Sequence, residues 1–205
     1  MRPATRSTEA TTTAEVVAVA RARRATPSGV WGMLLFAATE GTLFGTLLAT
    51  YFYLRFRSPQ WPPPGIEAPS VALPLALTAA LVATTVPILL SVPAARRGRR
   101  GLTAALVALA MVVQGGYLAW QIVLYTDDLA KFTPDDSAYG SIYFTLLGAH
   151  HAHVAFGLLL DLWVLVRLAS GLTNYRLLTV QAVALYWAFV NAVAILVVAA
   201  QVSPS

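Results

Sequence analysis

The chain has 205 residues, is 58% hydrophobic but only 11% charged, and has a mean hydropathy of +0.67. A soluble domain carries about twice that share of charge, so the composition suits a bilayer better than water. Cysteine is absent, which excludes disulfides, thiolate metal ligands and a cysteine nucleophile, and the net charge of +5, almost all from arginine, reads in a membrane chain as cytoplasmic loop charge rather than a nucleic-acid surface.

Residues 1–28 are rich in Thr, Ala and Arg and contain no long apolar core. They read as a disordered cytoplasmic tail, with a short surface helix over Glu15 to Arg24. An organellar transit peptide is the other reading. A secretory signal is not, because the apolar segment that follows is too long and has no small-residue cleavage site.

Five apolar segments follow: Val30–Leu54, Val71–Val92, Leu102–Tyr125, Ser141–Leu168 and Leu177–Val202. Each is long enough to cross a core of about 30 Å at about 1.5 Å per residue. Clear polar breaks separate them: Arg55 to Gly65, Arg96 to Arg100, Asp127 to Asp136 and Gly171 to Arg176. The prediction is an all-α domain over 29–202, an integral membrane bundle of five transmembrane helices. No internal repeat is visible, so an inverted-repeat transporter gains no support.

In the first segment Ala37, Gly41, Gly45 and Ala49 recur every four residues, and this stripe predicts a close helix contact. The same segment holds Glu40, about 15 Å in from its start at helical rise. An ionisable group inside a bilayer costs about 2.5–3.5 kcal/mol on insertion scales, so it needs a partner. The fourth segment offers His150, His151, His153 and Asp161. His150 lies about 14 Å in from the opposite end, at a depth similar to Glu40, which predicts a Glu40–His150 pair, direct or through one water. On a helical wheel His153, Gly157 and Asp161 lie within about 60° of His150 and form one polar or small stripe, with His151 about 100° away. Asp161, six residues before Arg167, reaches the cytoplasmic boundary or pairs with a basic residue there.

Three readings of this cluster stay open. A metal site has three His and a Glu to draw on, but His-His-x-His is not a zinc motif. A proton pathway and a structural network that fixes helix register both fit intramembrane polar residues.

Basic residues orient the bundle by the positive-inside rule. Arg2, Arg6, Arg21, Arg23, Arg24, Arg96, Arg97, Arg99, Arg100, Arg167 and Arg176 fall on one side. Arg55, Arg57 and Lys131 fall on the other, beside four Asp. The N-terminus is therefore expected in the cytoplasm and the C-terminus outside.

Some of these motifs are specific. Trp31-Gly-Met-Leu-Leu-Phe-Ala-Ala-Thr-Glu40 resembles the W-G-M-x-x-F-x-x-[ST]-E run of subunit III of the haem–copper cytochrome c oxidases. Tyr139 to Val154 is similar to that family's Y-G-S-x-F-x-x-x-T-G-x-H-x-x-H-V signature, and Tyr186-Trp-Ala-Phe-Val-Asn191 resembles its last-helix motif Y-W-H-F-V-D. Arg167 falls where the family has an Arg. Order and spacing agree across about residues 30 to 200, in the manner of the short five-helix bacterial form.

The resemblance implies a bundle without a redox centre, packed against catalytic subunit I of a terminal oxidase in the bacterial plasma membrane, with subunit II in the same complex. It implies haem and copper in the partner subunits only, bound phospholipid, and support for proton uptake and oxygen access. It carries over to Glu40, His150 and His153. Ala188 stands where the last-helix motif has His and Asn191 where it has Asp, so that polar pair is altered. Leu124 stands where many members have Glu, and Asp161 where they have an apolar residue. The residues alone exclude other oxidase subunits, since three His cannot ligate two haems and a copper. An accessory subunit of a nitric oxide reductase complex and a free-standing proton or solute transporter remain the alternatives.

Overall fold

The computed structural model describes residues 28–66, 72–170 and 174–202, with residues 174–176 described by their backbone alone. The expected tail and its surface helix lie outside the described residues. Among the described residues six helical elements follow one another: α1 (Ser28–Arg57), α2 (Ala72–Ala83), α3 (Thr85–Arg96), α4 (Arg100–Leu129), α5 (Ala138–Ala169) and α6 (Asn174–Val202). No strand occurs among the described residues. α2 and α3 together form one span, so the described residues hold five helices long and apolar enough to cross a membrane.

The second span is divided at Thr84, which hydropathy alone did not suggest. Pro87 has no N–H for the Ala83 carbonyl, and its ring crowds that carbonyl. The chain adjusts by tightening one turn. Thr84 donates its N–H to Leu81 O at 3.1 Å and its hydroxyl to the same oxygen at 2.6 Å, and Ile88 N then picks up Thr84 O at 3.2 Å.

The ends of the helices are set by local chemistry. α1 finishes on Arg55 and Arg57, cations that suit the negative end of its dipole. α3 stops at Gly98, whose φ of +71° is one that a side chain rarely tolerates. Gly98 N and Arg99 N there return to Ala95 O and Ala94 O, both at 3.0 Å. α5 starts from Ser137, an extended N-cap whose hydroxyl accepts from Gly140 N at 3.0 Å.

α6 is the central helix, in contact with α1, α2, α3 and α5, while α4 closes the bundle against α2, α3 and α5. Among the described helices, α1 touches only α5 and α6. Just 6% of its apolar window is buried, against 56% for α6, so α1 is the peripheral span. The main core joins Leu81, Ile88, Val107, Ala110, Val154, Val183, Tyr186, Trp187 and Val190. Val112, Leu159 and Leu196 point outward, as a bilayer permits. Lipid is as apolar as these side chains, so packing and interhelical hydrogen bonds hold the helices together. At the end of the bundle near Lys131, Tyr51, Trp61, Phe132, Tyr139 and Tyr143 form an aromatic cluster, with Trp61 Nε1 donating to the Tyr51 hydroxyl at 3.1 Å.

Candidate functional site

Glu40 on α1 does find an intramembrane histidine, but it is His153 and not His150. The Glu40 Oε2 to His153 Nε2 distance is 3.1 Å. The other ring nitrogen, Nδ1, lies 2.7 Å from Ala149 O. A carbonyl only accepts, so Nδ1 carries a proton. One more proton is then shared between Nε2 and the carboxylate, and the pair is neutral as a whole whichever group holds it. Phe44 stacks edge-on against the ring at 5.0 Å, and the Tyr186 hydroxyl donates to His153 O at 2.7 Å. The pair thus joins α1, α5 and α6.

Depth along the helix was the wrong discriminator. His150 and His153 differ little in depth but by about 60° in azimuth. α5 is flanked by α1 on one side and by α4 on the other. His153 faces the first and His150 the second. His150 is buried, packs edge-on against Tyr117 of α4 at 6.2 Å, and has no hydrogen-bond partner for either ring nitrogen.

Asp161 does not reach the cytoplasmic boundary. It is fully buried and accepts from Trp187 Nε1 at 3.0 Å. Gln114 on α4 completes this centre. With its amide turned to satisfy its neighbours, its nitrogen donates to Asp161 Oδ2 at 2.8 Å and to Ala110 O at 3.2 Å, and its oxygen lies 3.1 Å from the Thr84 hydroxyl, whose one proton it shares with Leu81 O. Asn191 forms a separate contact, donating from Nδ2 to Thr85 Oγ1 at 2.8 Å. The five polar residues singled out from sequence therefore fall into separate groups rather than one network: Glu40 with His153, Asp161 with Trp187, Asn191 with Thr85, and His150 apart. His150, Gly157 and Asp161 do share the buried stripe of α5, and His153 lies off it.

Gln114, Trp187 and Thr84 were not singled out from sequence. One signal was there: Thr103, Val107, Ala110, Gln114, Tyr117 and Gln121 repeat at alternating steps of four and three, and all are buried on α4. Polar members of such a stripe must find partners inside the bundle.

The small stripe of α1 makes little contact within the chain. A Cβ at Gly41 would stand 4.0 Å from Phe189, while one at Gly45 meets open space. Ala37 is half-buried and Ala49 exposed. α1 packs instead through Phe44, Tyr51 and Arg55. Among the described residues no group of three His, Asp or Glu is placed to share a metal ion.

Known sequences match this chain over most of its length. The family model described as cytochrome c oxidase subunit III matches residues 14–201. The chain is 31% identical over 166 residues to cytochrome c oxidase subunit 3 of Bacillus subtilis, covering 79% of each chain. It is 30% identical over 169 residues to the cytochrome bo(3) ubiquinol oxidase subunit 3 of Pseudomonas aeruginosa, covering 80% of this chain and 79% of that one. Cytochrome c oxidase subunit 3 of Bacillus sp. PS3 is 29% identical over 188 residues, covering 88% and 89%.

Proposed function

The chain belongs to the cytochrome c oxidase subunit III family, and from that membership we propose that it packs against catalytic subunit I of its oxidase, with subunit II in the same complex. It is an accessory subunit of a respiratory haem–copper oxidase and a multi-pass protein of the bacterial plasma membrane. Its role in the complex is to stabilise the catalytic subunit, to support proton uptake and to hold phospholipid beside an oxygen route. Haem and copper sit in the partner subunits. The observation that carries this reading is the family match over residues 14–201, within which Glu40 and His153 meet inside the membrane. Tagged chain purified in mild detergent is expected to bring down a haem-containing complex. Elution alone would favour a free-standing transporter, and a complex that reduces nitric oxide but not oxygen would favour the reductase alternative.

The small stripe of α1 supports an assembly role. The part of it beyond Gly41 is unfilled by this chain, and α1 is the least buried span. Small residues there allow a helix of the catalytic subunit to approach closely. Gly45→Leu is expected to lower the amount of this chain recovered with haem, because the new side chain projects into that approach and not into its own bundle. Full recovery of the Gly41→Leu/Gly45→Leu double variant would show that the face meets lipid.

The N-terminus lies in the cytoplasm and the C-terminus outside. This follows from the basic residues gathered at Arg96 to Arg100 and the four Asp near Lys131. Arg99 and Ala130 are both exposed. A cysteine at Arg99 is expected to react with an impermeant thiol reagent only from the cytoplasm, and one at Ala130 only from outside. The reverse pattern would invert the topology.

A further inference from the structure

The end of the bundle that carries Lys131 encloses a cavity of about 590 Å³. Its lining runs from Asp127 and Lys131, which are exposed and mark its mouth, to Thr78, Tyr117 and His150, which are buried and mark its deep part. Tyr117 lies ten residues before Asp127 on α4, so the cavity reaches about 15 Å into the membrane. Polar groups from four helices face it: Thr78 of α2, Gln121 of α4, His151 of α5 and Gln201 of α6.

Two of its walls have unmet hydrogen-bonding capacity. His150 is 2% exposed, and neither ring nitrogen has a partner in the protein. A neutral imidazole needs one donor and one acceptor opposite it. The Gln201 amide nitrogen also lacks a partner. At the mouth Asp128 receives the Lys131 ammonium at 3.2 Å and the Tyr143 hydroxyl at 2.6 Å. The deep part therefore offers neutral donors and acceptors and no net charge to hold an ion. A cavity that stays dry is lined by apolar groups alone, whereas a polar one with room takes water. The volume here holds on the order of twenty water molecules.

We propose that this cavity is an aqueous vestibule, which brings water from the Lys131 face of the membrane down to His150. Water bridges satisfy both nitrogens of His150 and the amide of Gln201. His150 then exchanges its ring proton with the solution on that face, while His153, three residues on, is sealed against α1 by Glu40. The two histidines serve separate ends: one closes a helix contact, the other ends a water-filled path.

The chain has no cysteine, so single cysteines report on it directly. Leu147, His150 and Val198 line the cavity, and Val112 and Leu159 point outward on α4 and α5. In membrane vesicles carrying the intact complex, each position is changed to Cys, treated with a small charged methanethiosulfonate from one face at a time, and read by mass of this chain. Leu147→Cys, Val198→Cys and His150→Cys are expected to react from the Lys131 face at least ten-fold faster than Val112→Cys and Leu159→Cys. Ala130→Cys, outside the cavity, reports that the reagent reached that face. Reaction of the cavity positions only with an uncharged lipophilic maleimide would make the site an acyl-chain pocket and overturn the proposal. Reaction at Leu147→Cys and Val198→Cys without His150→Cys would overturn the claim that water reaches the histidine. No reaction at any cavity position, with Ala130→Cys labelled, would overturn the vestibule itself.

Discussion

Gly157→Ala is expected to destabilise the subunit by about 1–3 kcal/mol, the usual cost of overpacking a tight core. The added Cβ would stand 2.6 Å from Trp187 Cζ2 and 2.9 Å from Cη2. An indole at the far end of a loose side chain could move away. Trp187 cannot do so cheaply, because it is 1% exposed and its Nε1 is tied to Asp161. Asp161 is in turn held by Gln114, and Gln114 by Thr84. A shift of the indole therefore strains a chain of contacts that crosses three helices and the break between α2 and α3. Asp161→Leu tests the same chain from its centre. It leaves Trp187 Nε1 and one of the two Gln114 amide N–H groups without an acceptor, each at about 1–3 kcal/mol. Asp161→Asn keeps an acceptor for Trp187 and is expected to lie between Asp161→Leu and the parent. The readout is the temperature at which the purified complex releases this chain. Parental behaviour of Gly157→Ala would show that Trp187 repacks freely and that its bond to Asp161 does not hold it.

The spans themselves were legible in the sequence because a bilayer imposes one plain rule. About twenty apolar residues must run between polar breaks, and the five segments obey it. The helices extend a few residues past those segments, since hydropathy falls where arginine and aspartate begin but the backbone ladder does not. The break at Thr84 was not read from the sequence, although Pro87 and its missing N–H carry the signal for it. Rotation of each helix about its axis was not. Depth follows from counting residues, and it correctly put Glu40 level with the α5 histidines. Azimuth depends on which helices flank α5, and that is decided by packing of all five spans together. A rotation of about 60° moved the partner of Glu40 from His150 to His153. The Gln114–Asp161–Trp187 centre was hidden for the same reason. Its members lie on three helices, and a single chain carries no mark of which polar side chains will meet.

A double-mutant cycle on Glu40 and His153 is expected to show strong coupling. Glu40→Leu leaves His153 Nε2 facing an apolar side chain, at a cost of about 1–3 kcal/mol for the orphaned group. His153→Leu leaves the Glu40 carboxyl without its partner inside the membrane, and its cost is of the same order or greater. The two side chains are 24% and 16% exposed in the lone subunit, so neither has bulk water to fall back on once lipid or another subunit covers α1. Replacing both by leucine removes the need for either partner. The Glu40→Leu/His153→Leu variant is therefore expected to be less damaged than the two single losses added together, by about 1 kcal/mol or more. Glu40→Gln supplies a further arm. His153 Nδ1 keeps its proton for Ala149 O, so Nε2 can accept from the new amide, and the fold is expected to hold. Turnover of that complex is expected to fall modestly at most under the proposed accessory role, in which the oxygen chemistry belongs to another subunit. Simple additivity in the cycle would show that the contact between Glu40 and His153 contributes nothing to stability. Lost turnover in a fully assembled Glu40→Gln complex would make the shared proton itself, rather than the helix contact it closes, the reason for placing a carboxyl group in the membrane.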